Sequence, residues 1–326
     1  MDRRAKLLVI AFASDMTRGT RFMINKQKII PYFTALLSSF IFGFSFLFSK
    51  RALAVVSPFT MLSFRFLTAF IIMSLLIALR VIKVSYKNKP IKWLAILGLV
   101  EPVIYFVFES YGIKRTASSV GGLMIALIPI GVTILGAYFL NEIPSKMQVI
   151  SIAISVSGVM LITVCGDSGT GETSVIGIFL LLGAVLSAGI FNIISRKISK
   201  YFTPMEITYF MMLEAAVVFN TISIGDYLVK GELNLYFQPL TNVTFITSML
   251  YLGILSSIVA YFLINYSLSK LPASRTSVFS NISTIVSIVA GVVFLNESFE
   301  IYHLVGSALI LLGVWGTNRP RGARNM

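Results

Sequence analysis

Two glutamates lie within an apolar, aromatic-rich stretch of this 326-residue chain, LGLVEPVIYFVFESYG at 97–112. At helical spacing the stretch carries Glu101, Tyr105, Phe108 and Glu109. A helix here would therefore present a carboxylate, a phenol, a ring and a second carboxylate on one face. Such a wall suits a cation, or a zwitterion with an ammonium group, because the ring faces and the carboxylate both attract positive charge.

The ionisable residues that fall well inside apolar runs, away from the ends, are Arg65, Glu101, Glu109 and Glu214. Glu101 and Glu214 lie about ten residues into their runs, which at about 1.5 Å per residue reaches the middle of a roughly 30 Å hydrocarbon core. A charge at that depth costs about 2.5–3.5 kcal/mol, so such groups are expected to be paired, protonated or turned to a cavity. Glu109 is expected nearer the outer interface.

Glu101 is therefore predicted to bind substrate or to carry a proton, with Arg65 and Glu214 as further proton or charge-pair residues. The alternative is that Glu101 and Arg65 form a buried pair that only fixes the packing. Tyr261 and Asn265, one helical turn apart, are too large for simple packing residues. The predicted substrate-binding set is Glu101, Tyr105, Tyr261 and Asn265.

The composition indicates the solvent for which the chain is built. Hydrophobic residues make up 56% of it and charged residues 12%, about half the roughly 25% charged share of soluble domains. Repeated apolar runs are typical of an all-α integral membrane protein. The net charge of +14 lies in the connections between runs rather than on a separate basic face, which argues against a nucleic-acid partner.

Proline, glycine and charged residues divide the chain into ten apolar runs. These lie at 31–50, 58–79, 91–112, 117–140, 146–165, 174–195, 204–225, 242–268, 272–295 and 301–318. With the N-terminus inside, the inner segments hold 21 Lys and Arg and the outer connections hold 5. This bias predicts a multi-pass protein of the cell membrane with both termini in the cytoplasm.

The two halves of the chain repeat one another. At a shift of 146 residues Gly43 matches Gly189 and Pro58 matches Pro204; at a shift of 155, Gly98 matches Gly253, Gly158 matches Gly313 and LNE at 140–142 matches LNE at 295–297. Because each half has five runs, the second half enters from the opposite side. We predict ten transmembrane helices in two inverted five-helix repeats, 30–165 and 174–318, between a cytoplasmic leader at 1–29 and a basic tail at 319–326.

The ordered set of these features resembles the EamA branch of the drug/metabolite transporter superfamily. The resemblance rests on the five-plus-five runs, both LNE triplets, Arg65 after the SPF turn, and GIKRTASSVGGLMIALIPI at 112–130. It implies a ten-helix basket with a central cavity and export of small metabolites, often amino acids. The second half departs from the first where Thr284 aligns with Pro129 and Met211 with Arg65, so no role shared by both copies is assigned to those positions.

The sequence therefore predicts a secondary transporter that exports a small polar metabolite, an amino acid or related amine, by alternating access. Efflux of lipophilic cations or drugs is the first alternative, and a membrane enzyme or scaffold is the second. No nucleophile with a base, metal-ligand spacing or phosphate-binding loop occurs in the sequence, so we predict no catalytic residues, no metal and no cofactor. The expected partners are a small-molecule substrate, the lipid bilayer and a coupling proton, in a monomer or weak dimer.

Overall fold

The computed structural model describes residues 29–49, 51–114, 127–166, 175–295 and 301–318. Within these residues the chain forms helices and turns, with no strand. Most of the predicted leader, the predicted tail, the centre of the 112–130 run and the last two residues of the second LNE triplet lie outside the described residues.

The helices follow one another with short connections. In chain order they are α1 (Ile29–Leu53), α2 (Pro58–Ala78), α3 (Lys92–Gly98 and Tyr105–Lys114, joined by the π-helical segment Leu99–Ile104), α4 (Ile128–Phe139), α5 (Lys146–Gly166), α6 (Val175–Ile198), α7 (Pro204–Lys230), α8 (Val243–Leu250 and Tyr261–Lys270, joined by the π-helical segment Tyr251–Ala260), α9 (Ala273–Ser277 and Ser280–Leu295) and α10 (Ile301–Asn318). In the described part of the chain, six helices are long and apolar enough to cross a membrane: α1, α2, α3, α6, α7 and α8. Shorter apolar helices lie in α4 and α10.

Helices α2 and α7 begin in the same way. Each has proline at its first position, after a hydroxyl residue whose side chain caps the helix. Ser57 accepts a hydrogen bond from the backbone of Thr60, while Thr203 and Glu206 form a reciprocal capping box. These caps fix the residue at which α2 and α7 each begin.

Helices α3 and α8 are interrupted at corresponding positions. The π-helical segment of α3 contains Glu101, whose backbone is extended at φ −147° and ψ 119°, and Pro102, which has no backbone N–H to donate. Shifted by 155 residues, this segment falls within the π-helical segment of α8. Short π-helical segments are frequent at functional sites because they re-aim the side chains on either side of them.

Glycines of the two halves pack reciprocally in the contact between α5 and α10. A Cβ added to Gly158 would lie 2.5 Å from the carbonyl oxygen of Gly306, and a Cβ added to Gly313 would lie 2.5 Å from that of Ser151. The 155-residue shift relates Gly158 to Gly313 and Ser151 to Gly306. Each of the two helices therefore packs a glycine directly against the backbone of the other.

A second reciprocal contact joins α3 with α7 and α8 with α2. A Cβ added to Gly98 would overlap the Glu214 side chain, and one added to Gly253 would lie 2.8 Å from the Thr68 methyl group. Gly98 and Gly253 correspond at the 155-residue shift, as Thr68 and Glu214 do at the 146-residue shift. The two contacts thus occupy equivalent places, with different side chains beneath the glycine.

The connection between α7 and α8 folds back onto the helices. Tyr236 is buried in it; its hydroxyl donates to Asn220 and makes a hydrogen bond of 3.0 Å with Ser63. Burial raises the pKa of Tyr236, which keeps its hydroxyl neutral. The ring stacks on Phe64 at 5.0 Å, so this connection is fixed against α2.

We expect Gly313→Ala to lower the thermal midpoint of the purified protein in detergent, because its methyl group would overlap α5. Overpacking of this kind costs about 1–3 kcal/mol. Gly225→Ala is the matched control, since nothing lies within 4 Å of a Cβ at that position. It should leave the midpoint unchanged or slightly higher, and an equal fall in both variants would contradict the close approach of α5 and α10.

Candidate substrate site

A cavity of about 180 Å³ lies among the helices. Its wall includes Ser38, Ser45, Ser49 and Leu53 from α1, Arg65 from α2, Glu101, Tyr105 and Glu109 from α3, Asn192 from α6, Tyr261 from α8, and Thr276, Ser280 and Ser283 from α9. Along α1 the lining runs from the middle of the helix to its last residues, so the cavity extends toward the end of the molecule where α1 ends and α2 begins. Both halves of the chain contribute to it.

Glu101 is bound to a residue of the other half. It is 8% exposed, and its Oε1 accepts a hydrogen bond of 3.0 Å from the hydroxyl of Tyr261. The Tyr261 ring is held in turn by edge contacts with Phe42, at 5.4 Å, and Phe191, at 6.1 Å. The carboxylate at the interruption of α3 is therefore positioned by an aromatic group of α8.

Tyr105 lies in the cavity wall, but its hydroxyl turns to the second acid of α3. It donates to Oε1 of Glu109 at 2.9 Å, one helical turn further along. The structure brings Glu109 into the wall of the same cavity as Glu101. Its spacing of four residues from Tyr105 was the signal in the sequence that linked it to this face.

Arg65 lines the cavity without pairing with Glu101. Its Nε donates to Ser257 at 2.8 Å and its Nη2 to Ser256 at 2.9 Å, both in the π-helical segment of α8. The guanidinium also lies 4.5 Å from the centre of the Phe106 ring. Among the described residues no ion pair joins Arg65 to a carboxylate within 4.0 Å, although Arg65 and Glu109 line the same cavity.

The structure does not bring the other two predicted residues into this cavity. Asn265 is fully buried outside its wall, where it accepts a hydrogen bond of 2.7 Å from Ser195 and donates to Thr208 at 3.2 Å. It thereby ties α8 to α6 and α7. Glu214 lies on α7 against Gly98, and no described residue donates to its buried Oε2.

At the opposite end of the molecule, charged side chains join the helices. Glu206 at the start of α7 accepts from the Nζ of Lys89, at 2.7 Å, and from the backbone of Ser85, both in the connection between α2 and α3. Glu142, after α4, pairs with Arg196 of α6 at 3.2 Å and accepts from the backbone of Ala273 in α9. These two clusters hold that end of the bundle together.

Comparison with known proteins decides the family. The model of the EamA-like transporter family matches the chain twice, over residues 29–164 and 175–319. The chain belongs to the EamA-like transporter family. It is thus a multi-pass membrane transporter of a small molecule and not an enzyme.

Relatives and a solved structure agree with this assignment. The chain is 38% identical to the uncharacterized transporter YcxC of Bacillus subtilis over 296 residues, which covers 91% of this chain and 95% of the relative. It is 24% identical to a probable amino-acid metabolite efflux pump of Salmonella typhimurium, over 87% of this chain and 93% of the relative. A crystal structure that is 18% identical superposes with a TM-score of 0.71 over 89% of this chain and 95% of that one, and so has the same fold.

We expect Arg65→Met to lower the thermal midpoint, since the variant loses two charged hydrogen bonds worth about 1.5–3 kcal/mol each and leaves Glu109 without its nearby cation. Methionine is the residue at the corresponding position of the second half, Met211. Adding Glu109→Gln should restore part of the loss, because the uncompensated charge is then removed. Arg51→Met at the end of α1 is the control, and a double variant as unstable as Arg65→Met alone would show that Arg65 and Glu109 are not coupled.

Proposed function

We propose that this EamA-family transporter exports a small polar metabolite, an amino acid or a related amine, by alternating access. The observation that carries the proposal is the buried carboxylate of Glu101, held by Tyr261 of the other half in a cavity built from both halves. Because burial at this depth is costly, a carboxylate there typically marks a substrate or ion pathway. The name of the Salmonella typhimurium relative, a probable amino-acid metabolite efflux pump, supports the same class of cargo.

The size of the cavity favours a small cargo. At about 180 Å³ it lies below the roughly 300–1,000 Å³ of sites that hold drug-sized ligands. A second candidate, efflux of lipophilic cations, is favoured by the aromatic part of the wall at Phe42, Phe106 and Phe191. The two candidates differ in how many hydrogen-bond donors the cargo carries.

We further propose that ten helices span the membrane as two inverted repeats, 30–165 and 174–318. The reciprocal glycine contacts support this arrangement, because each contact between the halves recurs with the roles of the halves exchanged. The two separate matches of the family model support the same division. Substrate would then bind between the repeats, with Glu101, Tyr105 and Tyr261 at the site and Asn265 joining the helices behind it.

We also propose an orientation of the molecule in the membrane. The bias of 21 to 5 in Lys and Arg supports cytoplasmic termini in the cell membrane. The clusters around Glu206 and Glu142 then close the cytoplasmic side, while the cavity extends toward the outside. Opening of these clusters would expose the cavity to the cytoplasm.

We propose that protonation of Glu101 and binding of the cargo compete, so that inward movement of protons drives export. Glu214 is a further acid that could carry the proton. We propose that the transporter is a monomer or a weak dimer.

We expect Glu101→Gln to abolish the stimulation of efflux by a pH gradient, because the amide cannot exchange a proton. The measurement is efflux from proteoliposomes loaded with labelled amino acids and polyamines, with and without the gradient. Efflux with the gradient should fall to the rate that is measured without it. Glu232→Gln, in the exposed α7–α8 connection, is the control. Unchanged gradient-driven efflux in Glu101→Gln would refute the role of Glu101, and no efflux of any compound by the wild type would refute the class of cargo.

We expect Glu206→Gln to make the inner part of the cavity more reactive from the cytoplasmic side, because the ion pair with Lys89 is lost. Ser277→Cys in a Cys165→Ser background supplies a single thiol in the cavity wall. Its rate of labelling by a charged maleimide is measured in inside-out vesicles. The rate should rise severalfold in Glu206→Gln, and Asp226→Asn, which breaks an exposed pair with Lys230, is the control. An unchanged rate would show that the Glu206 cluster does not close this side.

A further inference from the structure

Two side chains of the cavity wall each have a buried acceptor oxygen to which no described residue donates. These atoms are Oε2 of Glu101 and Oδ1 of Asn192. The side chains are 8% and 7% exposed. The other polar atom of each is engaged, since Oε1 of Glu101 accepts from Tyr261 and Nδ2 of Asn192 donates to the carbonyl oxygen of Ala188 at 2.8 Å. Buried acceptors of this kind are rare because leaving them unpaired is costly.

The orientation of the Asn192 amide follows from its partner. The carbonyl oxygen of Ala188 can only accept, so the amide atom beside it must be the NH₂ group. The remaining amide atom is therefore an oxygen. Asn192 offers an acceptor to the site and not a donor.

Glu101 and Asn192 come from two elements of the cavity wall that pack against each other. Helix α6, which carries Asn192, packs against the π-helical segment that carries Glu101. The ring of the adjacent Phe191 lies 6.1 Å from that of Tyr261, whose hydroxyl binds Glu101. One acceptor thus comes from the first half of the chain and the other from the second half.

The chemistry of these atoms specifies the group that they would bind. A carboxylate oxygen and an amide oxygen are together well matched by a ligand group with positive charge and at least two N–H donors. A primary ammonium group has three such donors, whereas a quaternary ammonium group has none and is recognised by aromatic faces and by its charge. The side-chain torsions of a carboxylate and of an amide are broad, so small rotations adjust both acceptors to a bound donor.

We propose that Glu101 and Asn192 together bind the primary ammonium group of the cargo, and that Asn192 makes the transporter select primary amines over their trimethylated analogues. This inference rests on the proposed function and specifies its cargo. Glu101 supplies a negative charge, which attracts the primary and the trimethylated ammonium group alike. Asn192 supplies a neutral acceptor, which only an N–H donor satisfies, so discrimination depends on Asn192.

The test uses pairs of compounds that differ only in methylation of the nitrogen. L-Alanine is compared with its N,N,N-trimethyl derivative, 2-aminoethanol with choline, and butylamine with butyltrimethylammonium. Affinity is measured by calorimetry on the purified full-length protein in detergent, and transport by competition in proteoliposomes. The wild type should bind the primary amine of each responsive pair about tenfold or more tightly, as expected for one lost hydrogen bond to a charged group.

Two variants separate the role of Asn192 from a general loss of structure. Asn192→Leu has a similar size and no acceptor, and it should reduce the preference to less than about threefold while affinity for the trimethylated compound holds. Asn192→Asp keeps an acceptor oxygen in the same place, and it should keep the preference for the primary amine. A variant that binds the trimethylated compound as the wild type does is folded, which makes the loss of preference interpretable.

The remaining outcomes distinguish this inference from the proposed function. If the wild type transports amines but Asn192→Leu keeps the full preference, Asn192 does not select and only the inference is overturned. A wild type that transports both members of a pair equally, or favours the trimethylated one, overturns the inference and favours recognition by the aromatic wall. If no compound of any pair binds or moves, the cargo carries no ammonium group and both proposals fail.

Discussion

The hydrogen bond between Glu101 and Tyr261 is the interaction around which the site is built. A carboxylate in the middle of a membrane helix is costly, and here the donor that stabilises it comes from the opposite half of the chain. The interruption of α3 at Glu101 re-aims the acid, and the edge contacts of Tyr261 with Phe42 and Phe191 hold the phenol in place. The cavity therefore has its present form only when the two halves are packed together.

The framework of the molecule is symmetric where backbones approach one another and asymmetric where side chains meet the cavity. Gly158 and Gly313 are both retained because each lies against the backbone of the other half, where only a hydrogen fits. Arg65 and Met211 correspond to each other in the two halves, and neither position lies against a neighbouring backbone that would exclude a side chain. The residue type can therefore differ between the halves there. Duplication thus supplies a pair of matching scaffolds, while one half supplies the arginine and both acids that line the cavity.

Sequence reasoning was strongest for features that depend on long runs of residues. Hydropathy and the repeats indicated a membrane transporter, and the ordered set of runs, LNE triplets and Arg65 resembled the EamA family, which the family model confirmed over both halves. The acids inside apolar runs pointed to Glu101, and the structure places it with Tyr105 and Tyr261 in one cavity. Asn265 was assigned to that wall from its spacing of one turn from Tyr261, whereas in the structure it binds Ser195 and Thr208 outside the wall.

The sequence by itself determined that the chain is built for the lipid bilayer, that its two halves repeat one another, and which charged residues are buried. These features follow from composition and repeat spacing, which are properties of the chain alone. Which polar side chains share the cavity was decided only by the tertiary structure. Tyr261 and Asn265 lie one turn apart in the regular α-helical part of α8, yet only Tyr261 lies in the cavity wall. Asn265 lies outside the cavity wall because its amide binds Ser195 and Thr208 on other helices, contacts that the local sequence does not specify. The amide of Asn192 binds Ala188 of its own helix, and the packing of α6 against α3 brings Asn192 to the cavity wall.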